Sequence, residues 1–569
     1  MKWWLFLFIW VVIGVGLRLT LLESKPPWTD EFSTIVFSLG NSFRTVPLDR
    51  AITLDVLLQP LQPNPNAGIA DVLKHLFTET NHPPLYFILS HCWMKLFSPS
   101  SNGLASVWAA RALSALFGAL SIPAIYGISW LAFRSQLVSQ LAAAMMTVSP
   151  YGIFIAQEAR HYTLAILWVI ASLSCLVIAT KHIQRWIPIP AWLVLLWICI
   201  NGIGIATHYF FALTFGTEII WLIFLAWRQF KGKFSVSLNQ KQRVSYFPWW
   251  QILVVIISTM IEGLLWLPLF LQANRGGELT DWIQSGDRGL LEWISPIFQA
   301  LVTLISMLYL LPVSASSLVV VIISGLAMLG FFIWVLPILK HGIVRQIEQP
   351  TSSLMAQLFS MVVIGGISLF FFFTYALEID LTRGARYYFV YFPAVIVLLG
   401  ASLAICWHTP NNKQNFFPSS GRTAVSIILS MGMVSALVVV CNLGYPKYYR
   451  PDLLVPLIQQ VSQSPVLIAT THKTHVQTGE MMGLARVLKI QSSLSPSPLF
   501  LLAHQNQKPE ISTTTLQNTL SQLPRPLDLW LVNFHAPVQL NNCIADNQSF
   551  PPVYGYEYQI YHCQETTNF

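Results

Sequence analysis

The sequence predicts an all-α polytopic membrane protein, about 11 transmembrane helices plus interfacial helices, followed by a small extracytoplasmic α/β domain. Three observations carry this. Only 10% of the 569 residues are charged and 54% are hydrophobic, where a soluble globular chain carries roughly 25% charged residues. Runs of about 20 apolar residues recur, each long enough to span a bilayer as a helix, the form that satisfies its own backbone groups in lipid. Beyond residue 444 the chain turns more polar and breaks into the short apolar runs PVLIAT, PLFLLAH, LDLWLVNF and YEYQIYHC, with helix-like segments between the first three, a strand-and-helix pattern.

Basic residues fix the expected topology. They cluster in short loops at Arg134, Lys181 to Arg185, Arg228 to Arg243, Lys340 to Arg345 and Lys413 to Arg422, which the positive-inside rule places in the cytoplasm with the N-terminus. The net charge of +8 is thereby a topology signal and not a nucleic-acid patch. The expected spans are 3–22, 105–132, 136–151, 162–180, 188–206, 209–227, 249–272, 316–339, 354–376, 387–407 and 423–443, the first read as a retained anchor because no small-x-small cleavage site follows it. Residues 83–98 and 292–312 are expected to lie in the outer interface, since counting either as a span would put a basic loop on the wrong side; 13 spans is the alternative. The expected domains are a membrane unit, 1–445, whose first outer loop is 23–104, and an outer α/β unit, 446–569. Cys543 and Cys563 fall in the outer unit, where a disulfide between them is allowed.

The polar residues that could carry chemistry gather at the outer face. Asp30 and Glu31 follow the first span, with Thr29 a suitable N-cap, so they read either as a capped helix start or as an acid pair containing a general base. Asn81-His82-Pro83-Pro84-Leu85-Tyr86 closes the first loop. Arg111, Arg160, Arg383 and Arg386 lie at outer helix ends, against the usual charge bias; they either snorkel to headgroups or converge on a phosphate, which a guanidinium matches bidentately. His208 stands at an outer turn as a substrate contact, an interfacial residue or, with an acid of the first loop, a metal ligand. Glu218 and Glu262 fall mid-span, where carboxylates are costly and are functional candidates. No cytoplasmic loop exceeds about two dozen residues, too short for a nucleotide-binding domain of on the order of 100 residues, so an activated donor would be lipid-linked.

In order, Asp30-Glu31, His82-Pro83-Pro84-Leu85-Tyr86, Arg111-x-x-Ser114-x-x-x-Gly118, Ser149-Pro150, Gln157-Glu158-Ala159-Arg160-His161-Tyr162 and His208-Tyr209 resemble the GT-C glycosyltransferases of the protein O-mannosyltransferase and aminoarabinose lipid A transferase type, over roughly residues 1–445. The resemblance implies transfer of a sugar from a polyprenyl-phosphate donor to an extracytoplasmic lipid, polysaccharide or other envelope acceptor, with inversion, by a multi-pass protein of the cell membrane. It implies Asp30 as catalytic base with Glu31 assisting, and Arg111, Arg160, Arg386 and Tyr387 at the donor phosphate. His82, Tyr86, Tyr162 and His208 would contact substrate. Some relatives use a divalent ion, for which Asp30, Glu31 and His208 are the candidate ligands; no other cofactor is implied. The chain departs from the protein O-mannosyltransferases in having Tyr86-Phe87 after the prolines, and it lacks their inserted lumenal domain. A transporter of lipid-linked sugars and a non-catalytic membrane subunit are the competing readings.

Overall fold

The computed structural model describes residues 3–235, 247–268, 281–284, 289–409, 420–446, 448–491, 496–505, 509–548 and 550–564. Helix α1 (Trp3–Leu19) leads into a loop region that builds α2 (Thr29–Ser38), strand β1 (Ala51–Thr53), α3 (Leu54–Leu58), α4 (Ile69–Glu79) and α5 (Leu85–Met94). The bundle follows as α6 (Val107–Phe133), α7 (Gln136–Val148), α8 (Pro150–Ala156), α9 (Tyr162–Gln184), α10 (Ala191–Thr207), α11 (Phe211–Ser235), α12 (Phe247–Leu265), α13 (Leu290–Ser306), α14 (Leu318–Glu348), α15 (Ser353–Ala376), α16 (Phe392–His408) and α17 (Gly421–Val440). Among the described residues seven of these, α6, α9, α11, α12, α14, α15 and α17, are long and apolar enough to cross a membrane, and the bent pair α7–α8 makes an eighth. Helices α1, α10 and α16 are apolar and 17 residues each. Each coincides, to within one residue at its C-terminal end, with part of a segment expected to span. The segment expected in the interface at 83–98 forms α5, only 10 residues long, too short to cross. Helix α14 turns Leu318, Val319, Leu326 and Ile333 outward, as a helix facing lipid does.

Two expected spans differ in form. The helix expected over 136–151 breaks at Ser149 with a bend of 55°. Pro150 has no N–H to continue the ladder and pushes Ser149 into an extended conformation; the Ser149 hydroxyl then caps α8 by accepting from the Gly152 N–H at 3.3 Å. The break frees carbonyls inside the bundle, and Arg18, fully buried in the last turn of α1, donates to Met146 O at 2.9 Å and Thr147 O at 3.4 Å. The span expected from Tyr387 starts at Phe392, after a 3₁₀ segment, Ala385–Val390.

The C-terminal region forms α18 (Pro451–Val461), β2 (Val466–His472), α19 (His475–Gln491), β3 (Leu499–His504), α20 (Glu510–Gln522), β4 (Leu527–Val532), β5 (Cys543–Ala545) and β6 (Tyr558–Cys563). The sheet order is β1-β3-β2-β4-β6-β5. Strands β2, β3 and β4 are parallel, with α19 over one face and α20 over the other. The edge strand β1 comes from the first loop and pairs antiparallel with β3, Ala51 opposite Leu501. The loop and the C-terminal region also share one core, in which Phe32, Val36, Leu57 and Val72 pack with Leu454, Met481, Leu484 and Phe500. The unit expected to begin at 446 is thus completed by residues of 23–104. Cys543 and Cys563, opposite each other on β5 and β6, form a disulfide.

Candidate active site

The site is built on α2, the outer start of α6, the turn between α8 and α9, and the 3₁₀ segment before α16. Helix α2 begins at Thr29, so the cap position falls to Trp28 and not to Thr29 as expected. No side chain caps from Trp28; the Glu31 carboxylate reaches back and accepts from the Trp28 N–H at 3.4 Å. Adjacent helical residues point different ways, and the acid pair separates accordingly. Glu31 is buried completely, whereas the Asp30 side chain keeps 28% of its exposure.

Glu31 receives Arg111 Nε on Oε1 and Nη2 on Oε2, both at 2.7 Å, and the Ala159 N–H on Oε1 at 2.8 Å. Arg111 Nη1 donates to Leu22 O and Lys25 O, each at 2.8 Å. Burial pushes the Glu31 carboxyl upward, but the Arg111 guanidinium with its bonds, then the Ala159 N–H, outweigh it and hold the group below its ordinary value. Arg111, expected at the donor phosphate, is therefore sealed against Glu31 and two loop carbonyls with no exposure. A buried carboxylate needs this compensation, and the pair has no opening to a ligand. The rest of the Arg111-x-x-Ser114-x-x-x-Gly118 pattern serves the same junction. Ser114 Oγ donates to Arg160 O at 2.8 Å and meets the Tyr86 hydroxyl at 2.7 Å, and a Cβ at Gly118 would lie 2.7 Å from Ala156 Cβ. Tyr86, expected to touch substrate, is fully buried in this support.

Asp30 keeps its partial exposure and lies between two guanidinium groups. Arg160 Nη2 lies 3.3 Å and Arg386 Nη2 3.8 Å from its Oδ2. Arg160 Nη1 is fixed by Asp30 O at 3.1 Å and Thr34 Oγ1 at 3.2 Å. Its Nη2 donates to His82 Nε2 at 3.0 Å; as arginine only donates, this ring nitrogen accepts and the His82 proton sits on Nδ1. Arg386 is caged by rings, its guanidinium carbon 4.7 Å from the Trp28 centroid, 5.0 Å from Trp282, 5.4 Å from Tyr387 and 5.8 Å from Tyr448. The Nε atoms of Arg160 and Arg386 are buried without a partner. Tyr162 lies under Arg160 at 5.8 Å. His82, His161 and His208 form a chain of rings, 5.7 Å and then 4.6 Å between centroids. Burial, then nearby positive charge that includes Arg160, hold all three imidazoles well below their ordinary value, hence neutral. His208 Nδ1 accepts from the Phe210 N–H at 3.0 Å.

The structure thus brings together Asp30, His82, Arg160, Tyr162, His208, Arg386 and Tyr387, and it sets Glu31, Arg111 and Tyr86 behind them. Arg383 is turned aside to Asp380 at 3.3 Å. Among the described residues no group of three or more His, Cys, Asp or Glu side chains is placed to hold a metal ion. With Glu31 committed to Arg111 and Ala159, the set Asp30, Glu31 and His208 does not fit a divalent ion. Glu218 is absorbed in a structural network, in which its Oε1 lies 2.7 Å from Ser172 Oγ, itself bonded to Asn201 and Trp197.

Sequence reasoning missed Trp28, Trp282, Tyr448 and His475. His475 opens α19, its ring stacked on Phe43 at 5.1 Å and edge-on to Phe37 at 6.1 Å, and the Asp30 charge reaches it. The C-terminal region therefore borders the site, and a Cβ at Gly479 would lie 3.3 Å from Thr29 Cα. The one available signal was the aromatic density beside each segment; the partners are too far apart in sequence to be paired by spacing.

Fold and site together define a polytopic membrane protein in which, at one end of the bundle, a partly exposed carboxylate stands between two buried guanidinium groups. No family model matches the sequence, and no curated protein matches it. Among solved structures the chain is similar to ArnT from Cupriavidus metallidurans bound to undecaprenyl phosphate, with 13% identity, 93% of this chain and 92% of that chain covered, and a TM-score of 0.45. It is also similar to AglB, the oligosaccharyltransferase of Archaeoglobus fulgidus. For the apo form the identity is 12%, 85% of this chain and 64% of that chain are covered, and the TM-score is 0.41. This chain therefore spans less than two thirds of the length of AglB.

Proposed function

We propose that the chain is an integral membrane glycosyltransferase that moves a sugar from a polyprenyl-phosphate donor to a hydroxyl of an extracytoplasmic lipid or glycan, with inversion. The observation that carries the reading is Asp30, a partly exposed carboxylate held 3.3 Å from Arg160 and 3.8 Å from Arg386. Without donor, the two guanidinium groups have Asp30 as their anion. A donor phosphate offers them more negative oxygens in bidentate geometry, and the buried, partnerless Nε atoms add donors for it. Asp30 is then released to the acceptor.

The acceptor O–H proton passes to an Asp30 oxygen as the acceptor oxygen attacks the anomeric carbon from the face opposite the phosphate. The bond from anomeric carbon to phosphate oxygen breaks, and the electron pair leaves on the phosphate. Arg160 and Arg386 meet the charge that grows there. In this reading Glu31 and Arg111 are positioning residues, and His82 aims Arg160. The Cys543–Cys563 disulfide supports an oxidising compartment for the C-terminal region, and with it an outer-face site.

Replacing Asp30 by Asn tests the assignment. Membranes containing only that variant are expected to retain polyprenyl-phosphate binding and lose sugar transfer, read by mass spectrometry of envelope lipids and glycans with and without the gene. Undiminished transfer would refute Asp30 as base.

A further inference from the structure

A polar cavity lies at the end of the bundle away from Asp30. Helix α9 starts with Tyr162 beside the Asp30 site and ends with Gln184, a length of 23 residues; at about 1.5 Å per residue this is roughly 35 Å, the depth of a bilayer's hydrocarbon core and more. At that end a cavity of about 460 Å³ opens between the ends of α9, α11 and α15, lined among others by Gln184, Trp186, Arg228, Gln229 and Ser353.

Its polar groups are only partly used. Arg228 Nη1 donates to Gln357 Oε1 at 2.7 Å, and its Nε and Nη2 make no hydrogen bond among the described residues. Gln229 gives its amide to Ile183 O at 3.0 Å, leaving a buried Oε1 without a partner. Ser352, before α15, turns its hydroxyl to Gln346 O, so that helix starts with no side-chain cap beside the cavity. Trp186 supplies an amphipathic ring of the type that settles at headgroup level. The nearby acid, Glu348, pairs with Arg345 at 3.1 Å. An open guanidinium and uncapped helix N–H groups suit a phosphate, and the partnerless Gln229 oxygen suits a hydroxyl carried with it.

We propose that this cavity binds the phosphoglycerol headgroup of an anionic phospholipid in the leaflet opposite Asp30. The inference is independent of the glycosyltransferase reading, because it concerns other residues and its test measures no sugar transfer.

Native mass spectrometry of the full chain, purified in detergent and titrated with phosphatidylglycerol or phosphatidylcholine, tests it. Phosphatidylglycerol adducts are expected to form preferentially, and Arg228→Glu to weaken them about tenfold. Arg345→Glu, at the same end but outside the cavity, should leave them unchanged. Leu354→Trp, which fills the cavity with an apolar ring, should weaken them without reversing a charge, and unaltered melting temperatures show that each variant is folded. Equal adducts with both lipids, or the same weakening from Arg345→Glu, would overturn the proposal. Displacement of the lipid by millimolar inorganic phosphate would overturn the lipid as ligand and assign the cavity to a soluble anion.

Discussion

Arg111 and Glu31 are joined by two parallel bonds of 2.7 Å in a place with no exposure to solvent. The pair ties α2 to α6, and through the Ala159 N–H on Glu31 it ties both to the turn that carries Arg160. Removing one partner of such a pair leaves the other charge buried, at a cost of about 3–5 kcal/mol. Glu31→Gln is therefore expected to lower the melting temperature sharply, and Arg111→Lys to do so as well, since an ammonium cannot make the forked contact. Glu31→Leu combined with Arg111→Met should recover part of the loss. Thermal unfolding of the purified protein measures all three, and a stability unchanged by Glu31→Gln would contradict the positioning role.

Arg386 is held by rings and not by a carboxylate at full contact. Its guanidinium lies 4.7 Å from the Trp28 ring, while the Asp30 oxygen is 3.8 Å away. Replacing Trp28 by Leu removes a cation–π contact worth about 0.5–2 kcal/mol and loosens the group. Binding of a polyprenyl phosphate, followed by quenching of a labelled lipid, should weaken about tenfold in Trp28→Leu and further in Arg386→Lys. Equal binding by both variants and the parent would remove Arg386 from the donor site.

Much of the membrane unit was legible because lipid imposes one rule on every span. Apolar length and basic loops located α6, α9 and α11 with few signals in conflict. Ser149-Pro150 stands out in the sequence as a motif, yet its consequence, a broken helix whose freed carbonyls are met by Arg18 from α1, depends on a contact 128 residues away. The sequence pattern marks four strands, all in the C-terminal region. It does not mark β1 or β5, because Ala51–Thr53 and Cys543–Ala545 are three residues each and become strands only by pairing with β3 and β6. In the site, the sequence puts Asp30 and Glu31 forward as one pair, and the fold divides them. Asp30 and Glu31 are neighbours in sequence, and only the helix phase, set by how α2 packs on α5 and α19, turns Glu31 inward to Arg111 and leaves Asp30 partly exposed.

The disulfide gives a test of how the outer unit is closed. Cys543 and Cys563 are 20 residues apart and join the last two strands of the sheet. A bridge over a loop of this size contributes about 2–4 kcal/mol. Cys543→Ser should leave the membrane bundle intact and make the chain beyond β4 the first site of proteolysis. Limited digestion followed by mass spectrometry reads this, and protection equal to the parent's would show that β6 is held by its pairing with β4 alone.

His475 gives a test in pH. Burial pushes its imidazole down to about 4, against an ordinary value near 6.5, while the Asp30 charge acts in the opposite sense. The unfolded chain therefore binds the proton more readily than the folded one. Its contribution to stability is complete above about pH 6.5 and is lost as pH falls towards 4. Phe at this position keeps the stack on Phe43 and cannot take a proton. The melting temperature of His475→Phe should thus fall less than the parent's between pH 6.5 and 4, with the two curves parallel above pH 7. His472 is pushed to about 4 by burial as well, so a slope remains in the variant, and His472→Phe should remove a further part of it. Because His475 joins the C-terminal unit to the helix that bears Asp30, the same acid range should loosen the outer unit from the bundle. Increased proteolysis of α19 at pH 5 in the parent, absent from His475→Phe, is the expected sign; parallel curves throughout would show that the ring is protonated in the folded state and that this face of the site is open to water.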